Sequence, residues 1–552
     1  DRMSVAVPDP TAAPAPLHVA TRTIDSPRLA ALGHTSASAG PAVYAHALER
    51  MPDQPGARFW LDSARVTPAG EHDEGARHSV LGDAADVLND EDAGGADDDG
   101  PLGPRILRAG HTDPEAAWAR LSALVGGREV RGGEGLPLRG GVVGFCSYEL
   151  GLADLGVRAP TPGPEDPVVP GMLWVRPSRY VVLDHRAGTL TSVTVGLDEA
   201  RVHEACAAWH ERVLAALEVA DTAAATDDRL ADDRRSPASP DSPAAPGSPA
   251  SSVHGRWRHN RGEYAELIDR CHRALWEGES YELCLTTRFD VADDVEIDPL
   301  ALFMALREGS PAPYAALLEV DGGAPEQERL AVVSASPERF LSGRSGVYST
   351  KPIKGTAARH ADPERDATAA RSLAADAKTR AENLMIVDLL RNDLSRVCEP
   401  GSVRVPAMMA VESFASVHQL VSTVTGVAAD GVSAVDVARA LFPGGSMTGA
   451  PKARTVELLA SWEAAPRGVY SGALGMFGAD GDCELSIVIR TAVLAPTASG
   501  LRWSVGAGGA IVADSDAESE HDEVLLKAAA LQRAMARARG RGQQLPGATR
   551  RR

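Results

Sequence analysis

Toward its C-terminal end the chain carries Glu520, Glu523 and Lys527 in the run AESEHDEVLLKAAALQRAMARA, which follows the helix-capping types Ser515 and Asp516 and extends to Gly540. Positions i, i+3 and i+7 share one helix face, so two carboxylates and an ammonium stand side by side, while Leu525, Leu526, Leu531 and neighbouring alanines supply apolar packing. Such a face is either a solvated, ion-paired stripe or part of a site for a hard cation. Mg2+ takes a few carboxylates plus water and substrate oxygens. Glu382, among apolar neighbours in AENLMIVDLLRNDL, offers a third carboxylate from another helix. Two glycine-rich segments could present backbone N–H groups to a small anion. They are FPGGSMTGAPK (442–452), which opens a helix near Pro451, and GAGGA (506–510), which reads as the end of a strand just before the Glu520 helix. Ordinary tight turns explain them equally well. Neither is a nucleotide fingerprint, because Ala450 follows Gly449 where a phosphate-binding loop needs Lys. Of 56 basic residues only Lys351, Lys354, Lys378, Lys452 and Lys527 are lysine. Against an arginine background that GC-rich coding explains, a retained lysine is a candidate for a compact charge or for an amine whose pKa can be lowered.

The elements that must position these groups fall in two structured halves. We divide the chain into a disordered N-terminal segment (1–16), a first region (17–217), a disordered Ala/Ser/Pro/Asp linker (218–255), a second region (256–538) and a disordered basic tail (539–552). An acidic stretch over 83–103 reads as a solvated surface loop. In the first region FWLDSARV and GGVVGFCSYELG read as strands, and Val202, Cys206, Trp209, Val213 and Leu217 lie on one helical face. In the second, helical stretches (260–277, 299–307, 364–394, 451–461) alternate with β-rich ones: ERLAVVSASPERFLSG, VYSGALGMFG, ELSIVIRTAVL and LRWSVGAGGAIVA. Short glycine-containing turns at 478–481 and 495–500 join consecutive strands, so the pattern predicts antiparallel sheet with helices packed outside, an α+β fold.

With 552 residues the chain exceeds what a single simple core holds, and 44% apolar residues suffice for a large one. The net charge of −20 argues against nucleic acid and anionic membrane partners. No membrane span or signal peptide is legible, which predicts a cytoplasmic location, and the start at Asp1 suggests a trimmed or excised piece. Six scattered cysteines read as buried thiols.

The order of motifs SASPERF (334–340), TKPIKGTAARH (350–360), ENLMIVDLLRNDLSRV (382–397), ESFASVHQLVSTVTG (412–426), FPGGSMTGAPKAR (442–454), YSGALGMFG (470–478), IVIRTA (487–492) and GAGGAIVADSDAESEHDE (506–523) resembles the chorismate-utilising family, which includes anthranilate synthase component I, aminodeoxychorismate synthase component I and the isochorismate synthases. The match covers nearly all of 256–538; the first half is similar more loosely, through FWLDS (59–63), which resembles a regulatory-site element, and GGVVGFCSYELG. The resemblance implies two stacked antiparallel sheets covered by helices, an αββα sandwich with both halves in one unit.

Pro352-Ile353-Lys354-Gly355-Thr356 is similar to the string of the members that aminate chorismate at C4, where those that aminate at C2 carry alanine in place of the lysine. The resemblance thus implies conversion of chorismate and ammonia to 4-amino-4-deoxychorismate, on the way to p-aminobenzoate. Its alternatives are anthranilate synthesis and a catalytically silent tryptophan-sensing homologue. It implies Mg2+ on Glu382 and Glu523 with Glu520 nearby, and a thinner metal shell because Thr379 replaces a further acid. By motif position Lys354, Glu338 and His418 are the implied catalytic groups. Thr356, Ser446, Thr448, Tyr470, Arg490, Gly508, Gly509, Ala510 and Lys527 are the implied substrate contacts. As a nucleophile at chorismate C2, Lys354 must be neutral, which predicts a depressed pKa, near 7.5 instead of about 10.4. Glu282 stands where the family usually has Gln. None of the six cysteines is flanked by glycine as a glutaminase nucleophile requires, so ammonia is expected from a glutamine amidotransferase subunit, a fused segment ahead of Asp1, or solution.

Overall fold

The computed structural model describes residues 16–32, 34–48, 56–62, 77–84, 105–126, 128–231, 253–292, 295–321, 329–414 and 417–542. Most of the acidic stretch over 83–103, the linker from 232 to 252 and the tail from 543 lie outside the described residues.

Two sheets form the frame. The larger has 13 strands, running Gly255–Trp257, Glu282–Val291, Gly500–Ile511, Thr491–Thr497, Leu330–Ser336, Tyr314–Asp321, Gly56–Asp62, His78–Ala84, Arg179–Asp184, Thr189–Gly196, Leu17–Ile24 and Val130–Arg131, with Gly449–Ala450 added to Glu282–Val291. The second has ten: Ile353–Ala358, Val417–Val427, Val347–Lys351, Arg339–Arg344, Cys483–Ile487, Ala473–Gly478, Gly141–Cys146, Met172–Arg176 and Arg105–Ala109, with Arg404–Ser413 beside Val417–Val427. Pairing is antiparallel except between Leu17–Ile24 and Val130–Arg131. Both sheets take strands from both halves of the sequence, as the α+β sandwich requires, and the expected hairpins at 478–481 and 495–500 are present.

Adjacent residues reveal the layering, because successive strand side chains face opposite ways. Phe59 packs between the sheets with Phe145, Leu173, Val332, Leu474 and Val493. Its neighbour Trp60 faces outward onto Phe303 (ring centroids 5.0 Å apart) and the helices Pro299–Gly309 and Ala517–Gly542. On the far side, Ala377–Ser395, Ala434–Leu441 and Pro114–Val125 cover the second sheet. All six cysteines are buried single thiols.

Several sequence expectations need correction, among them GGVVGFCSYELG, which is strand only over Gly141–Cys146 and passes into the helix Tyr148–Asp154. The helix expected over 364–394 is two, Pro363–Ala375 and Ala377–Ser395, because Asp376 ends the first and its carboxylate accepts the Thr379 amide at 2.7 Å to cap the second. The helix Glu199–Ala231 runs into the expected linker, since its alanine-rich sequence meets no proline before Pro237. The last helix, Ala517–Gly542, likewise continues past 538. On that helix Leu526 is 72% exposed, and the packing stripe is Val524, Ala528, Leu531 and Met535.

Candidate active site

The chain crosses between the sheets twice at one place. Pro337 and Glu338 link Leu330–Ser336 to Arg339–Arg344, and Val488–Arg490 link Cys483–Ile487 to Thr491–Thr497. The crossings are tied together: the Ile487 amide donates to the Glu338 carbonyl and the Ala335 amide to the Arg490 carbonyl, each at 3.1 Å. Glu338 is buried, and burial pushes its carboxyl up to about 7 although the Ser446 hydroxyl, Lys354, the Ile353 amide and Lys527 all favour the anion. Arg490, at φ 50°, is open to solvent yet enclosed enough by protein that desolvation lowers its pKa; it has no carboxylate partner among the described residues. It is an accessible, partly desolvated cation of the kind that can receive a carboxylate.

Lys354 reaches the site through a bulge. Ile353 pairs with Val421 and Thr356 with Gln419, so one extra residue is inserted, and Gly355 at φ 82° takes the left-handed conformation this needs. The bulge turns Lys354 inward, where its Nζ lies 2.6 Å from Glu282 Oε1. Burial lowers the Lys354 pKa, but the Glu282 carboxylate, assisted by Glu382, outweighs it and holds the amine above its usual value. This corrects the expectation of a depressed pKa: Lys354 stands as a paired ammonium, because its buried partner Glu282 is a carboxylate. Thr356, one residue past the bulge, is exposed.

The segment 506–510 is the end of a strand, as its sequence suggests, and not a tight turn. It continues the strand Gly500–Ile511, pairing with Glu282–Val291, whereas the other neighbour stops at the Ala492–Val505 pair. From Gly506 to Ile511 one strand edge is therefore open, and Lys527 Nζ donates to the Gly508 carbonyl on it at 2.7 Å. A side chain at Gly509 would meet Glu520 Oε2 at 3.1 Å and Lys527 Nζ at 3.9 Å, so Gly509 borders both charged groups. A side chain at Gly506 would strike the Tyr470 ring at 2.2 Å, so this glycine lets Tyr470 pack flush against the strand.

The three candidate metal ligands are unequal. Glu520 is buried, accepts from Ser515 Oγ at 2.7 Å, and lies 3.6 Å from Lys378 Nζ. Glu382 is partly buried, and its pKa is raised by desolvation and by the Glu282 and Glu520 carboxylates, against Lys354 and Lys378. Glu523 is turned to solvent and paired with Lys527 at 2.7 Å. Among the described residues no three acidic, histidine or cysteine side chains are drawn into a metal-binding group. His418 has both ring nitrogens engaged, Nδ1 with Ser413 Oγ at 2.8 Å and Nε2 with Asp366 Oδ1 at 2.9 Å, which fixes its ring within the second sheet. Thr448 is fully buried and its carbonyl accepts the Cys284 amide, tying the 442–452 segment to the Glu282 strand.

Sequence reasoning missed several supports. Lys378 belongs to the site through Glu520, and the scarcity of lysine was the signal for it. Glu463 and Arg467 form a buried ion pair at 2.7 Å; Arg467 also donates to the Cys284 and Met447 carbonyls and lies over the Tyr148 ring. From the first half, Glu149 accepts the Arg467 and Gly468 amides, so this half fixes the loop that delivers Tyr470. The FWLDS strand is separate: four strands lie between it and Glu282–Val291, and Asp62 is held by Ser79 at 2.5 Å and Arg307 at 2.6 Å. No helix among the described residues is long and apolar enough to cross a membrane.

Comparison with known proteins gives this geometry a context. The chain is 42% identical over 487 residues to an aminodeoxychorismate synthase of Streptomyces pristinaespiralis, an alignment covering 86% of this chain and 61% of that protein, so the chain spans about three fifths of that relative. It is 36% identical to anthranilate synthase component 1 of Streptomyces coelicolor, covering 73% of this chain and 74% of that protein. The crystal structure of anthranilate synthase component I from Streptococcus pneumoniae superposes with a TM-score of 0.58 at 24% identity, covering 89% of this chain and 93% of that one, a likeness of fold. The profile of the chorismate binding enzymes matches residues 96–533. The chain belongs to the chorismate binding enzyme family.

Proposed function

We propose that the chain catalyses 4-amination of chorismate, forming 4-amino-4-deoxychorismate from chorismate and ammonia for p-aminobenzoate synthesis. The observation that carries this reading is Lys354, a buried amine turned by a glycine bulge onto Glu282, close enough to Glu338 and Glu382 that their charges act on one another. The relatives named aminodeoxychorismate synthase support it at 42% and 41% identity. Anthranilate synthesis is the second reading, favoured by the fuller coverage of the Streptomyces coelicolor relative.

In the proposed reaction Lys354 adds to C2 as the C4 hydroxyl departs with a proton from Glu338. Ammonia then adds at C4 and expels the lysine. Arg490, Lys527 and the open strand edge at Gly508 to Ala510 bind the two carboxylates, a local cationic patch in a chain of net charge −20. Ser446 and the Ile353 amide fix the Glu338 carboxyl. Ammonia is supplied by a glutamine amidotransferase, as a subunit or a linked segment, and the location is cytoplasmic.

The acids fit a magnesium ion in donor chemistry: all are oxygen donors, and Glu382, whose pKa is raised first by burial and further by the Glu282 and Glu520 carboxylates, is a carboxylate whose charged form a divalent cation would favour. Glu382 and Glu520 would hold it, with Glu523 available once released from Lys527. When bound, Mg2+ would neutralise and orient the ring carboxylate of the substrate. Glu382→Gln is expected to weaken Mg2+ about 10-fold or more in a titration of activity against metal; an unchanged titration would remove Glu382 from the ligand set.

The reading as a whole is tested with purified protein, chorismate, Mg2+ and ammonium chloride. Chromatography is expected to give 4-amino-4-deoxychorismate. Fluorescent anthranilate would establish the second reading instead, and no consumption of chorismate would favour a silent homologue.

A further inference from the structure

Among the described residues, Glu282 is a buried carboxylate with one oxygen left without a partner. The residue is 1% exposed, Oε1 lies 2.6 Å from Lys354 Nζ, and Oε2 is buried with no hydrogen-bond partner. A buried carboxylate normally gathers several donors, since an unsatisfied charged oxygen is costly. Here one ammonium is all that balances it. The strand ladder fixes its position: Glu282 pairs with Ala450, and Leu283 with Gly449 and Ile511, so the carboxyl group is held at the rim of the large sheet facing the bulge of the second. The titratable groups acting on the pair are Glu382 from the helix Ala377–Ser395, itself flanked by Lys378 and Glu520, the buried Cys284 thiol on the Glu282 strand, and Glu338, with Lys527 beyond it.

We propose that Glu282 is the proton acceptor that turns Lys354 from ammonium into amine for attack on chorismate, and that it returns the proton when the lysine leaves. The inference rests on the 4-amination reading, in which Lys354 is the nucleophile. Its geometry is that of a preformed proton-transfer pair, with Nζ 2.6 Å from Oε1. The step balances. Nζ–H+ passes its proton to Glu282 Oε1, leaving a neutral amine and a carboxylic acid. The amine forms the N–C2 bond, the double-bond electrons shift, and the C4–O bond breaks with Glu338 giving its proton, so water departs. Ammonia forms the N–C4 bond and the N–C2 electron pair returns to Lys354. Glu282 then reprotonates the free lysine amine, and Glu338 takes a proton from the new C4 ammonium. The sum is chorismate plus ammonia giving aminochorismate plus water, with both carboxyl groups restored. Shuttling one proton within the pair also avoids leaving either charge alone in the pocket.

The test compares Glu282→Gln with wild type across pH. In the wild type the proton moves within the pair. In the variant the solvent must remove it, so the ratio of variant to wild-type kcat is expected to climb about tenfold per pH unit, from a loss of roughly 100-fold at pH 6. Taking the ratio cancels the titration of Glu338, which both proteins share. A ratio that is flat with pH overturns the proposal, whether near one, because burial alone keeps the amine neutral, or uniformly low, because Glu282 only supports the fold. Should Glu282→Gln lack a native melting transition, Glu282→Ala with added formate takes its place: recovery with formate but not with formamide supports the proposal, and no recovery overturns it. The wild-type product is identified first. If it is not the 4-amino compound, the functional reading fails whatever position 282 does; if it is, and the ratio is flat, only the role of Glu282 falls.

Discussion

Lys354→Arg is expected to lower 4-amination of chorismate by about 1,000-fold or more while chorismate binding stays within a few-fold of wild type. Arginine keeps the positive charge opposite Glu282 but stays protonated and cannot supply a nitrogen lone pair. Losses of this size follow when a nucleophile that acts as one unit with its proton acceptor is removed. Arginine is the informative replacement, because alanine would also strand a buried carboxylate at Glu282 and so cost about 3 to 5 kcal/mol of stability. Single-turnover product formation and equilibrium chorismate binding together check the result. Amination at near wild-type rate by a folded Lys354→Arg protein would end the covalent mechanism.

Glu338→Gln has the next largest expected effect, a loss of about 100- to 10,000-fold in kcat, the range for a positioned general acid. Burial raises the Glu338 pKa to about 7, so near neutral pH part of the protein holds the acid needed to protonate the departing C4 oxygen. The sign follows directly. The protonated form is the active one, so wild-type turnover is expected to fall as pH rises through about 7, and the residual activity of Glu338→Gln should lack that basic limb. A variant that kept the limb would show that another group titrates there and that Glu338 is a structural crossing residue.

The success of the sequence reading follows from which properties are local. Helix Arg261–Trp276 was legible within a residue because Asn260 and Glu263 form its capping box, a signal contained in four consecutive positions. The common face of Glu520 and Lys527 follows from helical period alone, and the two hairpins from their glycine turns. The break at Asp376 was local too, but its capping signal lay within a continuous helical pattern and was overridden by it.

What the sequence determined by itself was the inventory: the ordered motifs, the α+β alternation, the Lys354-Gly355 pair and a lysine usage so sparse that each position was informative. The tertiary structure decided which members of that inventory meet. Glu282 and Lys354 are 72 residues apart and face each other only because strands of different sheets end at the same rim. Gly506 to Ala510 were legible as the end of a strand, but that one of its edges is open was decided by the neighbouring strand, whose pairing ends at Ala492–Val505. Glu523 shares a helix face with Glu520 in the sequence pattern, yet it is half exposed and paired with Lys527, whereas Glu520 is buried against Gly509. The physical reason is common to all three. Periodicity and capping energies are set by residues within a turn or two of each other, whereas a buried ion pair and its proton depend on strand register, on one inserted residue in a bulge, and on how far neighbouring strands extend.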